Sequence, residues 1–250
     1  MILEACVNSA ISAIEAQKGG ADRVELCENM AEGGCTPSAG TIKLARKYLH
    51  IGLFVMIRPR GADFLYSDNE AEIMQWDVKM AKELKADGVV FGILNPNGTI
   101  DKARMKYLED LARPMGVTCH RAFDMTRDPF EALEDLVSIG VDRVLTSGQS
   151  DSALQGAPLI RQLIEKSRGR IVIMPGHGIK EHNLEEVIRA TGAGEYHLYL
   201  NRKVDSGMQF TRSDVKMGRP ESSEYEFTLA DSQSIAKAKN ILVNFNNKSL

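Results

Sequence analysis

Residues 20–27 read Gly-Ala-Asp-Arg-Val-Glu-Leu-Cys, a short turn that leads into an apolar strand. Related turns recur between a helical pattern and the next apolar run at residues 85–88, 140–142 and 192–194. In such turns glycine ends the preceding helix, and aspartate can accept hydrogen bonds from free backbone N–H groups. The repetition of helix, turn and strand predicts a parallel sheet whose strands are connected by helices.

Eight apolar runs have the character of buried parallel strands, since several are rich in Val, Ile and Leu and bounded by Gly, Asp or Pro. They lie at residues 2–6, 23–27, 52–57, 88–92, 117–120, 143–146, 171–174 and 195–198. Helical patterns lie at residues 9–18, 38–48, 69–85, 102–113, 129–139, 158–166, 184–190 and 229–242. Eight units favour a closed (β/α)8 barrel of the TIM type. An open doubly wound sheet is disfavoured because no G-x-G-x-x-G follows the first strand.

The 250 residues are predicted to form a single domain, because barrels of this kind commonly have this length. We expect the barrel to span residues 1–243. Residues 199–227 are polar and interrupt the alternation, which predicts an irregular segment before the last helix. Residues 244–250 are expected to form a polar tail.

Composition excludes several classes of partner. Hydrophobic residues make up 43% of the chain, charged residues 26%, and the net charge is −3, which is ordinary for a globular protein. No basic run predicts nucleic-acid binding, and no apolar stretch is long enough to predict a membrane span. The N-terminus lacks the pattern of a secretory signal. The four cysteines include no CxxC pair, which favours reduced thiols and a cytoplasmic location.

Glutamate and cysteine alternate at the ends of the first two predicted strands. Glu4 and Cys6 are two residues apart, as are Glu25 and Cys27, so each pair shares one face of its strand. If the two strands have similar register, the carboxylates and the thiols form adjacent layers near the top of the barrel. Buried carboxylates need a cation or donor opposite them.

Candidate cations and further polar groups follow the third and fifth strands. Arg58 and Arg60 follow strand three, and His120 and Asp124 lie at or after the end of strand five. Barrel active sites are built at these strand ends. We therefore predict a catalytic set of Glu4, Glu25, Arg58, His120 and Asp124, in which a glutamate is the acid or base and His120 moves protons. The alternative is a buried ion network that only stabilises the barrel.

Glycines after strands six and seven predict an anion site, together with Arg60. Ser147 and Gly148 follow strand six, and Gly176 and Gly178 follow strand seven. Backbone N–H groups in such loops can approach a phosphate, although glycines there also serve tight turns.

Cys6 and Cys27 admit two interpretations. Soft thiolates bind Cu(I), and two cysteines are sufficient for near-linear coordination. Alternatively, the two thiols are small buried hydrophobic groups, which is the usual state of a free cysteine.

The sequence resembles the CutC family, which is named for a proposed role in copper homeostasis. The matching segments are residues 25–27 (Glu-Leu-Cys), 32–38 (Glu-Gly-Gly-Cys-Thr-Pro-Ser), 55–61 (Val-Met-Ile-Arg-Pro-Arg-Gly), 63–67 (Asp-Phe-Leu-Tyr-Ser), 87–92 (Asp-Gly-Val-Val-Phe-Gly), 120–124 (His-Arg-Ala-Phe-Asp), 143–148 (Arg-Val-Leu-Thr-Ser-Gly) and 206–208 (Ser-Gly-Met). The resemblance implies a TIM-type barrel, a cytoplasmic location and a homodimer or homotetramer. It also implies Cu(I) binding, with Cys6 and Cys27 at the positions of the suggested ligands.

Two departures from the family pattern lie at the predicted mouth of the barrel. His177 stands where the family usually has the middle of three glycines, and Tyr199 follows strand eight where small residues are usual. Both side chains would narrow an anion pocket. Two functions remain open: copper binding, and an enzyme that acts on an anionic small molecule by acid–base chemistry. A third, a protein-binding scaffold, has no exposed apolar stripe in its favour.

Overall fold

The computed structural model describes residues 1–212, 214, 215, 217 and 223–248. Eight parallel strands alternate with helices, which confirms the predicted (β/α)8 barrel. The strands are β1 (Ile2–Val7), β2 (Arg23–Leu26), β3 (Gly52–Met56), β4 (Gly88–Phe91), β5 (Gly116–Cys119), β6 (Arg143–Thr146), β7 (Val172–Pro175) and β8 (Glu195–Leu198). Each strand begins and ends within one residue of its predicted position.

Helices cover the outside of the sheet. They are α1 (Ala10–Lys18), α2 (Ala39–Tyr48), α3 (Asp68–Glu83), α4 (Lys102–Ala112), α5 (Pro129–Ile139), α6 (Ala157–Ser167), α7 (Leu184–Thr191) and α8 (Ser232–Lys248). Their ends follow local sequence signals. Asp128 caps α5 by accepting hydrogen bonds from the N–H groups of Phe130 and Glu131, and Gly140 ends that helix with a φ of 99°.

The strand order is β7-β6-β5-β4-β3-β2-β1-β8, so neighbours in sequence are neighbours in space. β7 and β8 meet through a single parallel bridge between Gly176 and His197, which completes the ring. All strand carboxyl ends therefore face one mouth of the barrel, the position at which the sequence predicts the functional groups.

Aspartates in the turns connect adjacent strands at the opposite end of the barrel. Asp22 accepts a hydrogen bond from the N–H of Leu3 at 2.7 Å. Asp87 and Asp142 do the same for the N–H groups of Leu53 and Val117, each at 2.8 Å. Each aspartate thus satisfies a backbone donor of the preceding strand, as the recurring turn predicts.

The segment after β8 is more regular than the sequence predicts. Two strands, β9 (Asn201–Asp205) and β10 (Glu226–Ala230), pair in antiparallel fashion within and just beyond residues 199–227. Asn8 donates to Thr228 Oγ1 at 3.0 Å, which ties β10 to the barrel. Helix α8 begins three residues later than predicted and continues to Lys248, through most of the expected tail. The remaining parts of these predictions, residues 213, 216, 218–222, 249 and 250, lie outside the described residues.

A large apolar cluster fills the space between the strands and the helices. A smaller buried cluster lies inside the barrel and consists of Cys6, Cys27, Phe54, Met56 and Val90, with Met30 and Tyr199 packed against it. Within the described part of the chain, no helix combines the length and the apolar composition that crossing a bilayer requires.

Candidate functional site

A cavity of about 580 Å³ opens at the carboxyl ends of the strands. Its wall contains five of the predicted site residues together with several that the sequence did not single out. The lining residues are Cys6, Glu25, Met30, Glu32, Gly33, Met56, Arg58, Phe64, His120, Arg121, Leu145, His177, Gly178, Ile179, Lys180, His197 and Tyr199.

The predicted layers of two carboxylates and two thiols required Glu4 to lie beside Glu25 and Cys6 beside Cys27. The observed register of β1 and β2 is different. Cys6 is the register partner of Glu25, and Glu4 is the partner of Arg23. The strands are staggered by two residues, as a tilted barrel requires. Cys6 and Glu25 consequently share a level, while Glu4 lies below them and Cys27 above.

Glu4 is fully buried in an ion network below the cavity. It accepts a hydrogen bond from Arg23 Nε at 2.5 Å, and its other oxygen lies 2.7 Å from His197 Nδ1. Arg23 also donates to Glu195 at 2.6 Å, and Arg143 does the same. Burial alone would raise the pKa of Glu4, but Arg23 and His197 lower it to about 2. The expected partners, Arg58 and His120, are not its counterions.

Glu25 has a different environment from Glu4, although both are buried. Burial raises the pKa of its carboxyl, opposed by the charge of His197. Its Oε2 lies 3.7 Å from His197 Nε2, and its Oε1 has no hydrogen-bond partner among the described residues. Burial opposes protonation of His197, but the two glutamates outweigh it and raise the pKa of the imidazole. His197 therefore lies between a carboxylate fixed in its ionised form and one that retains its proton more readily.

The two thiols predicted as metal ligands lie together. Cys6 Sγ and Cys27 Sγ are 3.8 Å apart, and both side chains are buried. The contact with Cys27 and burial raise the pKa of the Cys6 thiol. Met30 Sδ lies 3.1 Å from Cys27 Sγ, and one oxygen of Glu25 lies within 4.8 Å of both Sγ atoms. The cluster thus offers two thiols, a thioether and a carboxylate to a metal ion.

Arg58 and His120 both line the cavity. Arg58 donates to the carbonyl oxygens of Glu32, Gly34 and Ala62, at 2.6 to 2.8 Å, and its Nε has no partner in the part of the chain that the structure describes. His120 Nδ1 accepts a hydrogen bond from the Ala122 N–H, and no described residue is a partner of its Nε2. Burial and Arg58 lower the pKa of His120 to about 3. The lowered pKa favours the neutral imidazole near pH 7, the state in which Nδ1 can accept the Ala122 N–H.

Arg60 and Asp124 lie outside the cavity wall. Arg60 donates to Glu70 at 2.5 Å and to the carbonyl of Leu65 at 2.7 Å, so it holds its own loop in place. Asp124 accepts hydrogen bonds from Thr146 Oγ1, the Ser147 N–H and Arg121 Nε. Its oxygens are occupied by these donors, which gives it a structural role after β6 and does not support the predicted catalytic one.

The predicted anion-binding backbone groups are mostly occupied as well. The Ser147 N–H donates to Asp124, the Gly148 N–H to Thr146 Oγ1, and the Gly176 N–H to the Thr146 carbonyl. Gly178 lines the cavity beside His177. His177 has a φ of 74°, a left-handed conformation that favours glycine. The geometry gives no support to a phosphate site built from the loops after β6 and β7.

Three residues of the site were not recognised from the sequence as members of it: Arg23, His197 and Met30. Arg23 precedes Glu25 by two residues and so shares its face of β2. This spacing could have identified Arg23 as a residue of the site. His197 lies in β8, and no local pattern predicts that its side chain lies between Glu4 and Glu25. Met30 lies in the turn after β2, where no periodicity indicates the direction of a side chain.

Comparison with known proteins gives a consistent result. Residues 1–201 match the model of the CutC family. The human copper homeostasis protein cutC homolog is 50% identical over 247 residues, covering 97% of this chain and 90% of the relative. A family protein CutC from Parabacteroides distasonis is 48% identical over 236 residues, covering 94% of this chain and 97% of the relative.

Solved structures agree with the fold. A crystal structure of CutC from Streptococcus agalactiae has a TM-score of 0.76 and 36% identity, covering 79% of this chain and 97% of that one. Thiamine phosphate pyrophosphorylase from Pyrococcus furiosus has a TM-score of 0.60 and 15% identity, covering 97% of this chain and 96% of that one. At that identity the likeness concerns the fold alone.

Proposed function

The chain belongs to the CutC family, and from that membership we propose that it acts in copper homeostasis by binding Cu(I) through the thiolates of Cys6 and Cys27. Relatives that cover most of the chain are named copper homeostasis proteins. The single observation that carries the assignment to these two residues is the 3.8 Å separation of their sulfur atoms.

The donor atoms fit Cu(I) better than they fit harder metal ions. Thiolate and thioether sulfur are soft ligands, which select Cu(I), whereas Mg²⁺ and Ca²⁺ require sets of oxygen ligands. Both thiols are free rather than joined in a disulfide. Thiols must lose their protons when they bind a metal. Because the pKa of the Cys6 thiol is raised, Cu(I) binding is expected to release protons and to strengthen with rising pH.

The site is tested by anaerobic Cu(I) titration of the parent chain and of the variants Cys6→Ser, Cys27→Ser and Cys35→Ser. Cys35 is a matched control, because it is a free cysteine eight residues from Cys27 and outside the cluster of possible ligands. We expect one Cu(I) per chain in the parent and in Cys35→Ser, and loss of high-affinity binding in the other two. If the double variant, with both Cys6 and Cys27 replaced by serine, bound Cu(I) as tightly as the parent, the assignment would be wrong.

We further infer a second function, binding of a small polar molecule in the same cavity. Among the described residues, four buried side-chain atoms lack a hydrogen-bond partner, and three of them belong to cavity residues: Glu25, Arg58 and His120. An unpartnered buried polar group costs about 1–3 kcal/mol, so such a group in a cavity wall is a candidate partner for a ligand. Two of the three, Arg58 and His120, would donate to oxygen atoms of a carboxylate or carbonyl compound.

This second function is tested by native mass spectrometry of the protein purified from cells, and by thermal-shift measurements with small keto acids and hydroxy acids. We expect one acid to raise the Tm of the parent chain and to have no effect on His120→Phe. Enzymatic turnover that Glu25→Gln abolishes would extend this to acid–base chemistry. Absence of a bound molecule and of any shift would count against the second function while leaving the copper site untouched.

Location and assembly follow the family expectation. The proposal includes a cytoplasmic protein that forms a homodimer or homotetramer, and the four free cysteines are consistent with a reducing compartment. Sedimentation velocity of the purified chain measures the number of subunits directly.

A further inference from the structure

The distance between the two cysteine sulfurs carries information about the coordination number. With a metal–sulfur bond of about 2.3 Å, a linear unit would separate the sulfurs by about 4.6 Å and a trigonal unit by about 4.0 Å. Cys6 Sγ and Cys27 Sγ are 3.8 Å apart. The spacing is closer to the trigonal value, so a bent arrangement with a third ligand fits the thiols as they stand.

We propose that Met30 supplies this third ligand, so that Cu(I) is bound by the sulfur atoms of Cys6, Cys27 and Met30. The inference rests on the proposed copper-binding function and adds a ligand to it. Met30 Sδ lies 3.1 Å from Cys27 Sγ, nearer than the about 4.0 Å of a trigonal unit, so the Met30 side chain has to move outward by about 1 Å to coordinate the ion. The side chains of Cys6 and Met30 both line the cavity. Cys27 is buried against both of these residues, so an ion that enters the cavity can reach the group of three sulfur atoms.

The loop that carries Met30 is held against Cys27 by several independent contacts. Met30 begins a single 3-10 turn (Met30–Glu32), and the loop is closed by paired hydrogen bonds between Glu28 and Cys35. Gly34 has a φ of 93°, and a Cβ there would lie 3.4 Å from Cys27 Sγ, so the backbone approaches the thiol closely. Arg58 donates to the carbonyl oxygens of Glu32 and Gly34. These bonds give Arg58 a positioning role for the Met30 loop.

Charge favours Met30 over the other candidate for the third position, Glu25. Two thiolates and one Cu(I) already carry a net charge of −1, and a carboxylate ligand would add a further negative charge in a buried site. Carboxylate oxygen is also a hard ligand that suits other metals. A thioether adds no charge and is soft. A third sulfur should therefore raise the affinity for Cu(I) more than the affinity for Zn²⁺.

The inference is tested with the full chain, loaded anaerobically with Cu(I), as the parent and as the variants Met30→Leu and Met56→Leu. Leucine keeps the apolar volume, so both variants should fold, which circular dichroism and urea unfolding of the metal-free protein check. Met56 is the matched control, because it lies in the same buried cluster as Cys27 and lines the same cavity. Affinity is measured by competition with a colorimetric Cu(I) chelator, and the number of sulfur ligands by X-ray absorption.

We expect Met30→Leu to bind Cu(I) at least about tenfold more weakly, since even outer-sphere changes at metal sites cost that much. Its number of sulfur ligands should fall from three to two, with Met56→Leu unchanged. Equal affinity and two sulfur ligands in both parent and Met30→Leu would overturn the third ligand while leaving the two-cysteine site intact. Weaker Cu(I) binding in Met56→Leu alone would show that Met56, and not Met30, supplies the thioether ligand. A parent chain that binds no Cu(I) would remove both this inference and the proposed function.

Discussion

His197 Nδ1 lies 2.7 Å from Glu4 Oε1, across the pair of strands β1 and β8 that joins the two ends of the barrel sequence. The two residues are 193 positions apart in the chain. On its other side His197 approaches Glu25, so one imidazole connects the ion network below the cavity to the cavity wall. The charge state of the site therefore depends on the pairing of β1 with β8.

The variant Glu4→Gln is expected to lower the free energy of unfolding at pH 7 by up to about 3–5 kcal/mol, because it removes one of the two counterions of buried Arg23 and leaves only Glu195. The pKa of Glu4 is about 2 in the folded protein, against an ordinary value of 4.5. A lowered pKa contributes stability that is present above about pH 4.5 and is lost as the pH falls towards about 2. The difference between parent and variant should therefore shrink in acid.

Urea unfolding at pH 7 and pH 3 measures this difference. Glu15→Gln is the control, because Glu15 forms only a surface ion pair with Lys18 and should change the stability by less than about 1 kcal/mol. A Glu4→Gln variant as stable as the parent at pH 7 would contradict a stabilising role for the network.

The pKa values of the two buried histidines of the site should be shifted in opposite directions from the ordinary value. Burial and the charge of Arg58 lower the pKa of His120 to about 3, whereas Glu25 and Glu4 outweigh burial and raise that of His197 above its ordinary value of 6.5. Because the unfolded chain binds a proton at His120 more readily than the folded chain, this residue costs stability as the pH falls below 6.5.

Proton NMR of the imidazole Cε1–H signals, assigned with His120→Gln and His197→Gln, measures both titrations. The His120 signal should not shift between pH 8 and pH 5. A His120 signal that titrates in that range would contradict the lowered pKa and would support the predicted role of His120 in proton transfer.

The variant Asp124→Asn should destabilise the protein without changing Cu(I) binding. Asp124 accepts hydrogen bonds from Thr146 Oγ1, the Ser147 N–H, the Gln149 N–H and Arg121, and hydrogen bonds to a buried charged group are worth about 1.5–3 kcal/mol each. We expect the free energy of unfolding to fall by at least about 2 kcal/mol. Chemical unfolding measures the expected loss of stability, and Cu(I) titration measures whether binding is unchanged. Unchanged stability with lost binding would place Asp124 in the site after all.

The variant Gly88→Ala should destabilise the barrel, because the new Cβ would lie 2.2 Å from Phe54 Cε1. The Phe54 ring has little freedom to move, since Arg23 and Arg143 stack on it with their guanidinium carbons 5.0 and 5.5 Å from its centroid. Overpacking of this kind costs about 1–3 kcal/mol.

Gly194→Ala is the matched control for Gly88→Ala in thermal unfolding, because no atom lies within 4 Å of the added Cβ and its φ is not in the left-handed region. The control should change the stability by less than about 1 kcal/mol, with either sign. Equal Tm values for the two variants would show that the interior accommodates the extra methyl group.

Local sequence signals were sufficient for the fold. Glycine and aspartate in the turns, short Val- and Ile-rich runs and capped helices act within a few residues of one another, so all eight barrel strands were predicted within one residue. The same signals placed Cys6, Glu25, Arg58 and His120 at the carboxyl ends of their strands, because parallel strands bring those ends to one mouth.

The partners of each side chain depended on tertiary structure. The two-residue stagger of β1 and β2 places Cys6 beside Glu25, and it arises from strand tilt around the whole barrel, which no single strand encodes. The hydrogen bonds of Arg58 to the Met30 loop decide that this arginine holds a backbone in place. The sequence by itself determined the architecture and which face of the barrel carries function, since these follow from short-range patterns. Only the folded chain decided which polar groups are paired and which are free, because pairing depends on distances between residues far apart in sequence.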